Sequence, residues 1–330
     1  MDSPVLKLDQ VDKTYRSKKG GRIQQVHAVR RVSFEVKPQH IVALVGESGS
    51  GKSTIAKLIT GVERADAGQI VFLGKPYEEW RRAMRDYRRR VQMVFQDPYA
   101  ALNPLSTVRY TLSRPLTNYR GLKGEALEHE IARILTIVHL TPVKEFIDKL
   151  PFELSGGQLQ RVVTARALGS SPELIVADEP VSMLDVSIRA EILRLIEELR
   201  REAKVSFVYI THDLISARML ADDIVVLYRG TVVEHGRGDE VAKHPRHPYT
   251  ELLLQSIPNP WAEDLEPTVD LSVMDRVTDD GGCVFRGRCP YAMSVCETSV
   301  PKLLEVGEDH RAACFRVEMT HDSEVLNTRV

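Results

Sequence analysis

Eight residues near position 50 have the composition of a loop that binds phosphate. Residues 46–53 are Gly-Glu-Ser-Gly-Ser-Gly-Lys-Ser, and they follow the apolar run Ile41–Val45. Glycines let successive backbone N–H groups curl around phosphate oxygens, and a following helix adds the positive end of its dipole. In such a loop the lysine reaches the terminal phosphates and the final serine binds magnesium. The predicted triphosphate and Mg²⁺ site comprises Gly46, Ser48, Gly49, Ser50, Gly51, Lys52, Ser53 and Thr54.

A pair of acids stands at the end of another apolar run. Residues 174–177 are Leu-Ile-Val-Ala, and Asp178 and Glu179 follow directly. Two adjacent carboxylates at the end of a buried strand are costly unless a cation or a proton compensates them. Beside a triphosphate, the first acid can support magnesium and the second can activate water. These two acids are therefore the predicted partners of the phosphate loop.

The elements that must position these groups alternate along the chain. Short β-branched runs are separated by helical patterns, which predicts an α/β fold with a mostly parallel sheet and crossover helices. Between residues 187 and 201 apolar positions recur at helical spacing, so one face of that helix is expected to pack on the sheet. Residues 99–150 show helical periodicity and little strand character, which indicates an inserted helical subdomain. The predicted strands are Ile41–Val45, Val91–Phe95, Leu174–Ala177 and Val205–Ile210.

Composition and charge restrict the partners. The chain has 330 residues, of which 43% are hydrophobic, so it can bury one large or two moderate cores. Its 45 basic and 46 acidic residues nearly cancel, so no general field favours nucleic acid, and the arginines between residues 81 and 90 are interpreted as a solvated helix face. No apolar run is long enough to span a bilayer and no secretory leader is present, which predicts a soluble, cytosolic protein.

Further motifs complete a set around the loop and the acids. Leu154-Ser-Gly-Gly-Gln158 precedes the acids, Ser182-Met-Leu-Asp185 follows them, Gln96 lies in Val94-Phe-Gln-Asp-Pro98, and His212 follows the predicted strand Val205–Ile210. Together these motifs resemble the ATP-binding-cassette (ABC) ATPases, in unbroken order from about residue 5 to residue 240. The resemblance implies an α/β phosphate-loop fold of the ABC type with an inserted helical subdomain and a small cysteine-rich C-terminal extension.

The resemblance also implies a catalytic role for each residue at the acids. Asp178 would hold magnesium through water, and Glu179 would polarise the water that attacks the γ-phosphate of ATP. Gln96 would contact magnesium or that water and report the nucleotide state to the helical subdomain. His212 would bond the γ-phosphate, although a structural histidine is the alternative. The implied ligands are ATP and Mg²⁺, the latter held by Ser53 and Gln96.

Two other implied contacts lie outside the loop. Tyr15 would stack on adenine, a contact that uses only the face of the ring, but an ordinary strand aromatic is the alternative. Ser155, Gly156 and Gly157 would face a second subunit, because two cassettes of this family pack head to tail. Ser155, Gly157 and Gln158 would contribute to binding of the ATP between the two. Hydrolysis would then be tied to the closing and reopening of a dimer.

The four cysteines are grouped near the end of the sequence. Five, six and seventeen residues separate them in order, and a predicted reducing compartment favours metal or cluster ligation over disulfides. Zinc sites usually have paired cysteines two to four residues apart, which this spacing lacks, but zinc and reduced structural cysteines remain alternatives. The residues are Cys283, Cys289, Cys296 and Cys314.

Three stretches narrow the resemblance to the oligopeptide and dipeptide importer branch. They are residues 95–104, His247-Pro-Tyr-Thr250 and the cysteine module, residues 281–315. In that branch such a module can bind a [4Fe-4S] cluster through four thiolates. The cluster would pin a small module that has no core of its own, and redox sensing is a second possible role.

The predicted organisation is an ATPase domain, residues 1–240, with the helical subdomain inserted at about 99–165, and an extension, residues 241–330, with a solvated connector at about 258–270. The importer resemblance implies an identical or paralogous ATPase subunit and two membrane-spanning permease subunits at the cytoplasmic face of the cell membrane. An extracytoplasmic substrate-binding protein would deliver the cargo.

Peptides are the expected cargo, and short oligosaccharides and nickel are alternatives within the same branch. A soluble ABC ATPase acting on DNA or ribosomes is a further alternative. It would be expected to have long coiled-coil insertions, a second cassette or a basic working face, and the sequence shows none of these. An exporter would often have fused membrane spans, which are also missing from the sequence.

Overall fold

The computed structural model describes residues 3–19, 22–255 and 281–317, so the predicted connector at 258–270 lies outside it. In these ranges no helix combines the length and the apolar character needed to cross a bilayer. The strands are β1 (Leu6–Lys19), β2 (Arg22–Val36), β3 (Ile41–Val45), β4 (Ala67–Phe72), β5 (Lys75–Pro76), β6 (Val91–Val94), β7 (Leu174–Asp178), β8 (Ser206–Thr211), β9 (Asp223–Tyr228), β10 (Thr231–Arg237), β11 (Leu304–Gly307) and β12 (His310–Ala312). The helices are α1 (Lys52–Ile59), α2 (Tyr77–Trp80), α3 (Met84–Arg90), α4 (Pro98–Ala101), α5 (Val108–Arg120), α6 (Gly124–Ile137), α7 (Val143–Phe146), α8 (Gly156–Leu168), α9 (Val186–Glu202), α10 (Leu214–Leu220), α11 (Gly238–Lys243), α12 (Pro248–Gln255) and α13 (Ser294–Thr298).

The main sheet has eight strands in the order β11-β12-β10-β9-β3-β8-β7-β6. The strands from β9 to β6 are parallel, as predicted, and β10, β12 and β11 add an antiparallel edge. The four predicted strands correspond to β3, β6, β7 and β8, each within one residue at either end. Since the carboxyl ends of parallel strands lie on one edge, the groups that follow β3, β6, β7 and β8 are brought together.

Apolar residues cover both faces of this sheet. Along β3, Ile41, Ala43 and Val45 belong to one buried cluster, and Val42 and Leu44 belong to another. This division follows from the alternation of side chains along a strand. The first cluster includes the helices α5, α6, α8 and α9, and the second includes α1 and the strands β1 and β2. The carboxyl edge of the parallel strands, which carries the predicted site residues, therefore lies between two packed layers.

A second sheet, in the order β2-β1-β4-β5, was not predicted from the sequence. Its strands are antiparallel, and the register of β1 against β2 shifts between Leu8 and Val11 and again between Val11 and Lys13. These irregularities interrupt the alternation of apolar and polar residues that predicts a strand. The sheet packs on α1 and forms the second layer.

Only helices and turns connect β6 to β7, a stretch that the structure describes completely. The segment contains α4, α5, α6, α7 and α8, in agreement with the helical periodicity of residues 99–150. The predicted helix at 187–201 corresponds to α9, whose buried residues include Ile192, Leu195 and Leu199. The domain boundaries proposed from the sequence stay a prediction.

The cysteine module is part of the ATPase fold in this structure. Its strand β12 pairs with β10, so that Glu234 faces Ala312, and β11 then pairs with β12. Cys283, Phe285 and Cys296 belong to the same buried cluster as the main sheet. The module was expected to have no core of its own, and in the structure its buried residues share the core of the ATPase domain.

Candidate nucleotide site

The phosphate loop connects β3 to α1 along a path that only glycine permits at two points. Gly51 caps α1 with φ 106°, and a Cβ atom there would lie 2.3 Å from the carbonyl oxygen of Ala28. A Cβ atom at Gly46 would lie 2.2 Å from the carbonyl oxygen of Leu227. Both distances are far below contact, so the neighbouring strands β2 and β9 fix the course of the loop.

Lys52 is almost fully buried at the first position of α1. Its Nζ atom donates to the carbonyl oxygens of Gly46, at 2.6 Å, and of Glu47, at 2.9 Å. Burial lowers the pKa of Lys52, and the charges of Glu179, Asp178 and Glu47 act in the opposite direction. The ammonium group is thus held inside its own loop, next to three acids.

Asp178 ends β7 beside the loop. Burial raises the pKa of its carboxyl group, and a hydrogen bond with the Ser53 hydroxyl is the next largest influence and lowers it. The charge of Glu179 raises the pKa further. A desolvated carboxylate beside a hydroxyl group and a second acid is a setting that a divalent cation would stabilise.

Glu179 contacts residues at the ends of the two strands on either side of β7, which are β6 and β8. Its backbone has φ 46°, in the left-handed region, and its N–H donates to the carbonyl oxygen of Ile210 at 2.9 Å. Gln96 Nε2 donates to one carboxylate oxygen at 3.1 Å, and His212 Nδ1 lies 3.4 Å from the other. A non-glycine residue in this conformation is costly, and such residues concentrate at functional sites.

The same carboxylate is linked to Ser182, which sequence reasoning did not select as a site residue. Gln96 Nε2 also donates to Ser182 Oγ at 3.3 Å, and that hydroxyl group donates to the carbonyl oxygen of Glu179 at 3.0 Å. Ser182 belongs to the motif that follows the acids, so its position in the sequence could have suggested the role.

Most of the predicted residues meet at one cavity of about 390 Å³. Gly46, Ser50 and Asp178 are not part of its lining, although Gly46 and Asp178 bond to residues that are. The lining residues are Ser48, Gly49, Gly51, Lys52, Ser53, Thr54, Gln96, Glu179 and His212.

Tyr15 does not line this cavity. It lies on β1 opposite Val26, and Lys13 Nζ stands 5.6 Å from the centre of its ring. Its predicted contact with adenine therefore stays a prediction.

The signature residues also lie away from the cavity of their own chain. Ser155 caps α8: its Oγ atom accepts from Gln158 N at 3.4 Å, and Ser155 N donates to Gln158 Oε1 at 3.0 Å. A Cβ atom at Gly157 would lie 2.6 Å from Ile188 Cγ2, so this glycine allows α8 and α9 to approach. Ser155 itself is exposed, as a contact with a second subunit would require.

The four cysteines are reduced and converge in the C-terminal module. Burial raises the pKa of Cys289 to about 11, and the charges of the other three cysteines raise it further. Backbone N–H groups donate to the sulfur atoms of Cys283, Cys289 and Cys314. In the ranges that the structure describes, no group of three or more potential ligands is arranged around a single metal ion.

Two contacts to the phosphate loop come from the far end of the sequence. Arg288 forms two hydrogen bonds to the carboxylate of Glu47, at 2.7 and 3.0 Å, and the Tyr249 hydroxyl accepts from Glu47 N at 2.8 Å. Sequence reasoning missed them because 241 residues separate Glu47 from Arg288.

A phosphate loop at the end of the central strand, with two acids, a glutamine and a histidine on the neighbouring strands, defines a phosphate-loop nucleoside triphosphatase. The family model described as ABC transporter matches residues 29–182, and the model described as oligopeptide/dipeptide transporter, C-terminal region, matches residues 233–296. The chain belongs to the ABC transporter family and is an ATPase of that family.

Similar proteins extend over nearly the whole chain. A Brucella ovis protein named as a peptide import ATP-binding protein is 38% identical over 322 residues, which are 96% of this chain and 98% of that protein. An oligopeptide transport ATP-binding protein of Salmonella typhimurium is 38% identical and covers 88% of each chain. Among solved structures, a dimeric ATP-binding cassette bound to ADP and phosphate has a TM-score of 0.62 and 32% identity, covering 70% of this chain and 98% of its own.

Proposed function

We propose that this chain is the ATP-hydrolysing subunit of a membrane importer for di- and oligopeptides. The observation that carries the proposal is the single cavity lined by Lys52, Gln96, Glu179 and His212, in a chain whose residues 233–296 match the C-terminal region of oligopeptide and dipeptide transporters. The peptide-related names of the similar proteins support this choice of cargo.

Each side chain would have a separate role in hydrolysis. Lys52 would exchange its bonds with the loop carbonyls for bonds with the terminal phosphates of ATP. Glu179 would polarise the attacking water, while Gln96 and His212 fix the two oxygens of its carboxylate. Magnesium held by Ser53, Gln96 and, through water, Asp178 would neutralise charge on the phosphates. Tyr15 would stack on adenine.

A second cassette, identical or paralogous, would complete the site. Ser155, Gly157 and Gln158 lie outside their own cavity, so in a head-to-tail pair they would contact the ATP held by the partner. Met183 and Val186, just after the acids, are 61% and 81% exposed, which suits a surface that a second subunit covers. The dimer seen in the similar solved structure supports this arrangement.

The membrane part of the machine would come from other chains. We place this subunit at the cytoplasmic face of the cell membrane, bound to two permease subunits that receive cargo from an extracytoplasmic binding protein. Phe95, Tyr99 and Leu105 follow or adjoin Gln96 and are exposed, so they offer an apolar surface that is linked in sequence to the nucleotide site. No contact with nucleic acid is part of the proposal.

The cysteine module is proposed to hold a [4Fe-4S] cluster. Four free thiols in one module, and the backbone N–H groups that donate to three of them, suit thiolates bound to iron. Iron and sulfide measured in protein purified without oxygen would support the cluster. One equivalent of zinc in that protein would indicate a bound zinc ion instead of a cluster. Protein that contains neither iron nor zinc would indicate structural cysteines.

The organisation proposed from the sequence is kept, with an ATPase domain at 1–240, a helical insertion at about 99–165 and an extension at 241–330. The helices between β6 and β7 support the insertion. The pairing of β10 with β12 means that the boundary near residue 240 separates segments of sequence that fold together.

The test is uptake of labelled di- and oligopeptides, short oligosaccharides and nickel by host cells carrying the wild type or Glu179→Gln. Glu173→Gln is the matched control, because it makes the same change at a partly exposed position just before β7. Loss of peptide uptake only in Glu179→Gln is expected. Loss of oligosaccharide or nickel uptake instead would reassign the cargo, and unchanged uptake of all three would favour a non-transport ATPase.

A further inference from the structure

The phosphate loop is tied to the cysteine module through one residue, Glu47. The guanidinium group of Arg288 binds both carboxylate oxygens of Glu47, and Tyr249 accepts the backbone N–H of the same residue. Arg288 therefore holds the side chain of Glu47 and Tyr249 holds its main chain, and both residues follow the strands β1 to β10 in sequence.

This ion pair is not an ordinary surface contact. The side chain of Arg288 is only 8% exposed, and its guanidinium carbon lies 5.9 Å from the ring centre of Tyr228. Tyr228, Tyr249 and Phe285 pack on one another with ring centres 4.6 to 5.5 Å apart. The hydrogen bonds to Glu47 raise the pKa of Arg288 above its ordinary range. A bidentate pair on a rigid aromatic support fixes position as well as charge.

Glu47 is in turn connected to the group that would bind phosphate. Its carbonyl oxygen accepts from Lys52 Nζ at 2.9 Å, and its carboxylate is close enough to raise the pKa of Lys52. Without Arg288, the Glu47 carboxylate would lose its paired cation in the residue that directly precedes Ser48 of the cavity lining. Its repulsion of the phosphates would weaken binding of the nucleotide.

We propose that Arg288 is a positioning residue for ATP: it neutralises and anchors Glu47, so that the cysteine module sets the affinity of the phosphate loop for nucleotide. The inference rests on the ATP site proposed above. Arg288 itself does not line the cavity, so its effect passes through Glu47 and Lys52.

The experiment measures the dissociation constant of a non-hydrolysable ATP analogue with Mg²⁺ on the full chain, by calorimetric titration. Arg288→Ala is expected to raise it about three- to tenfold. In the Glu47→Gln background the same substitution should change it less than twofold (about that limit for independent sites), because no unpaired carboxylate remains. Arg288→Lys keeps the charge but loses the pair of guanidinium nitrogens that bind the carboxylate, so its dissociation constant should lie between those of the wild type and Arg288→Ala.

Arg311→Ala is the matched control, since Arg311 lies in the same module, is exposed and pairs with Glu305. Its dissociation constant should equal that of the wild type. Wild-type affinity in Arg288→Ala, or an equal loss in both Glu47 backgrounds, overturns the inference. A Lys52→Ala variant that still binds the analogue would instead overturn the ATP site. If Arg288→Ala does not fold, Arg288→Lys in the two backgrounds decides between the same outcomes.

Discussion

Removing the ring of Phe285 should destabilise the ATPase domain, although the residue lies outside residues 1–240. The side chain is 1% exposed, and its ring centre lies 5.1 Å from Tyr228, 5.5 Å from Tyr249 and 5.6 Å from His247. Phe285→Ala therefore opens a cavity in the main core. Truncation of a buried phenylalanine costs about 3 to 5 kcal/mol in the free energy of unfolding.

The measurement is the midpoint of thermal unfolding of the full chain, followed by calorimetry. At about 2 to 4 °C per kcal/mol for a domain of this size, the main transition should fall by about 10 °C. Val300→Ala, an exposed change in the same module, should leave it in place. A main transition that does not move in Phe285→Ala, with only a small separate transition lost, would refute the shared core.

Three further predictions concern the site and the module. Glu179→Gln should lower ATP turnover about 10²- to 10⁴-fold while ATP binding is retained, measured by phosphate release and equilibrium binding; normal turnover would remove Glu179 from catalysis. His247 is buried, which lowers its pKa to about 3, so the unfolded chain takes up a proton first as the pH falls below about 6.5. The contribution of His247 to stability should therefore decrease by about 1.4 kcal/mol per pH unit from pH 6.5 toward pH 4, and urea denaturation of His247→Gln should show a shallower pH dependence than that of the wild type. Cys289→Ser should reduce the iron content of protein purified without oxygen, and unchanged iron would exclude Cys289 as a ligand.

The centre of the fold could be predicted because its signals are local. The apolar run Ile41–Val45 corresponds to β3 without change, since a strand buried on both faces needs apolar residues at every position. The strands β1 and β2 were missed, because their register shifts break the alternation on which prediction depends. The parallel order of the sheet then brings Gln96 and His212 to Glu179, although 83 residues separate Gln96 from Glu179.

The connection between the two ends of the chain could not be predicted. Arg288 stands beside a cysteine, and the sequence gives it the appearance of a cationic residue in a polar loop. Its partner Glu47 is one of the four residues between Gly46 and Gly51, whose types the phosphate-loop pattern does not specify. The placement of β12 beside β10, itself a pairing of distant residues, helps to bring the module within reach of the loop.

The pairing of β10 with β12 also affects how the protein is made. Until residues 310–312 have been synthesised, one edge of β10 is unpaired. Until Phe285 has been synthesised, the rings of Tyr228 and Tyr249 lack its contact. Open strand edges and exposed apolar surface promote association between chains. A ribosome-bound chain that has already completed the ATPase strands would therefore expose this edge until the last hairpin is added. Chains cut short before Gly281 would keep the edge of β10 open and would lack the ring of Phe285.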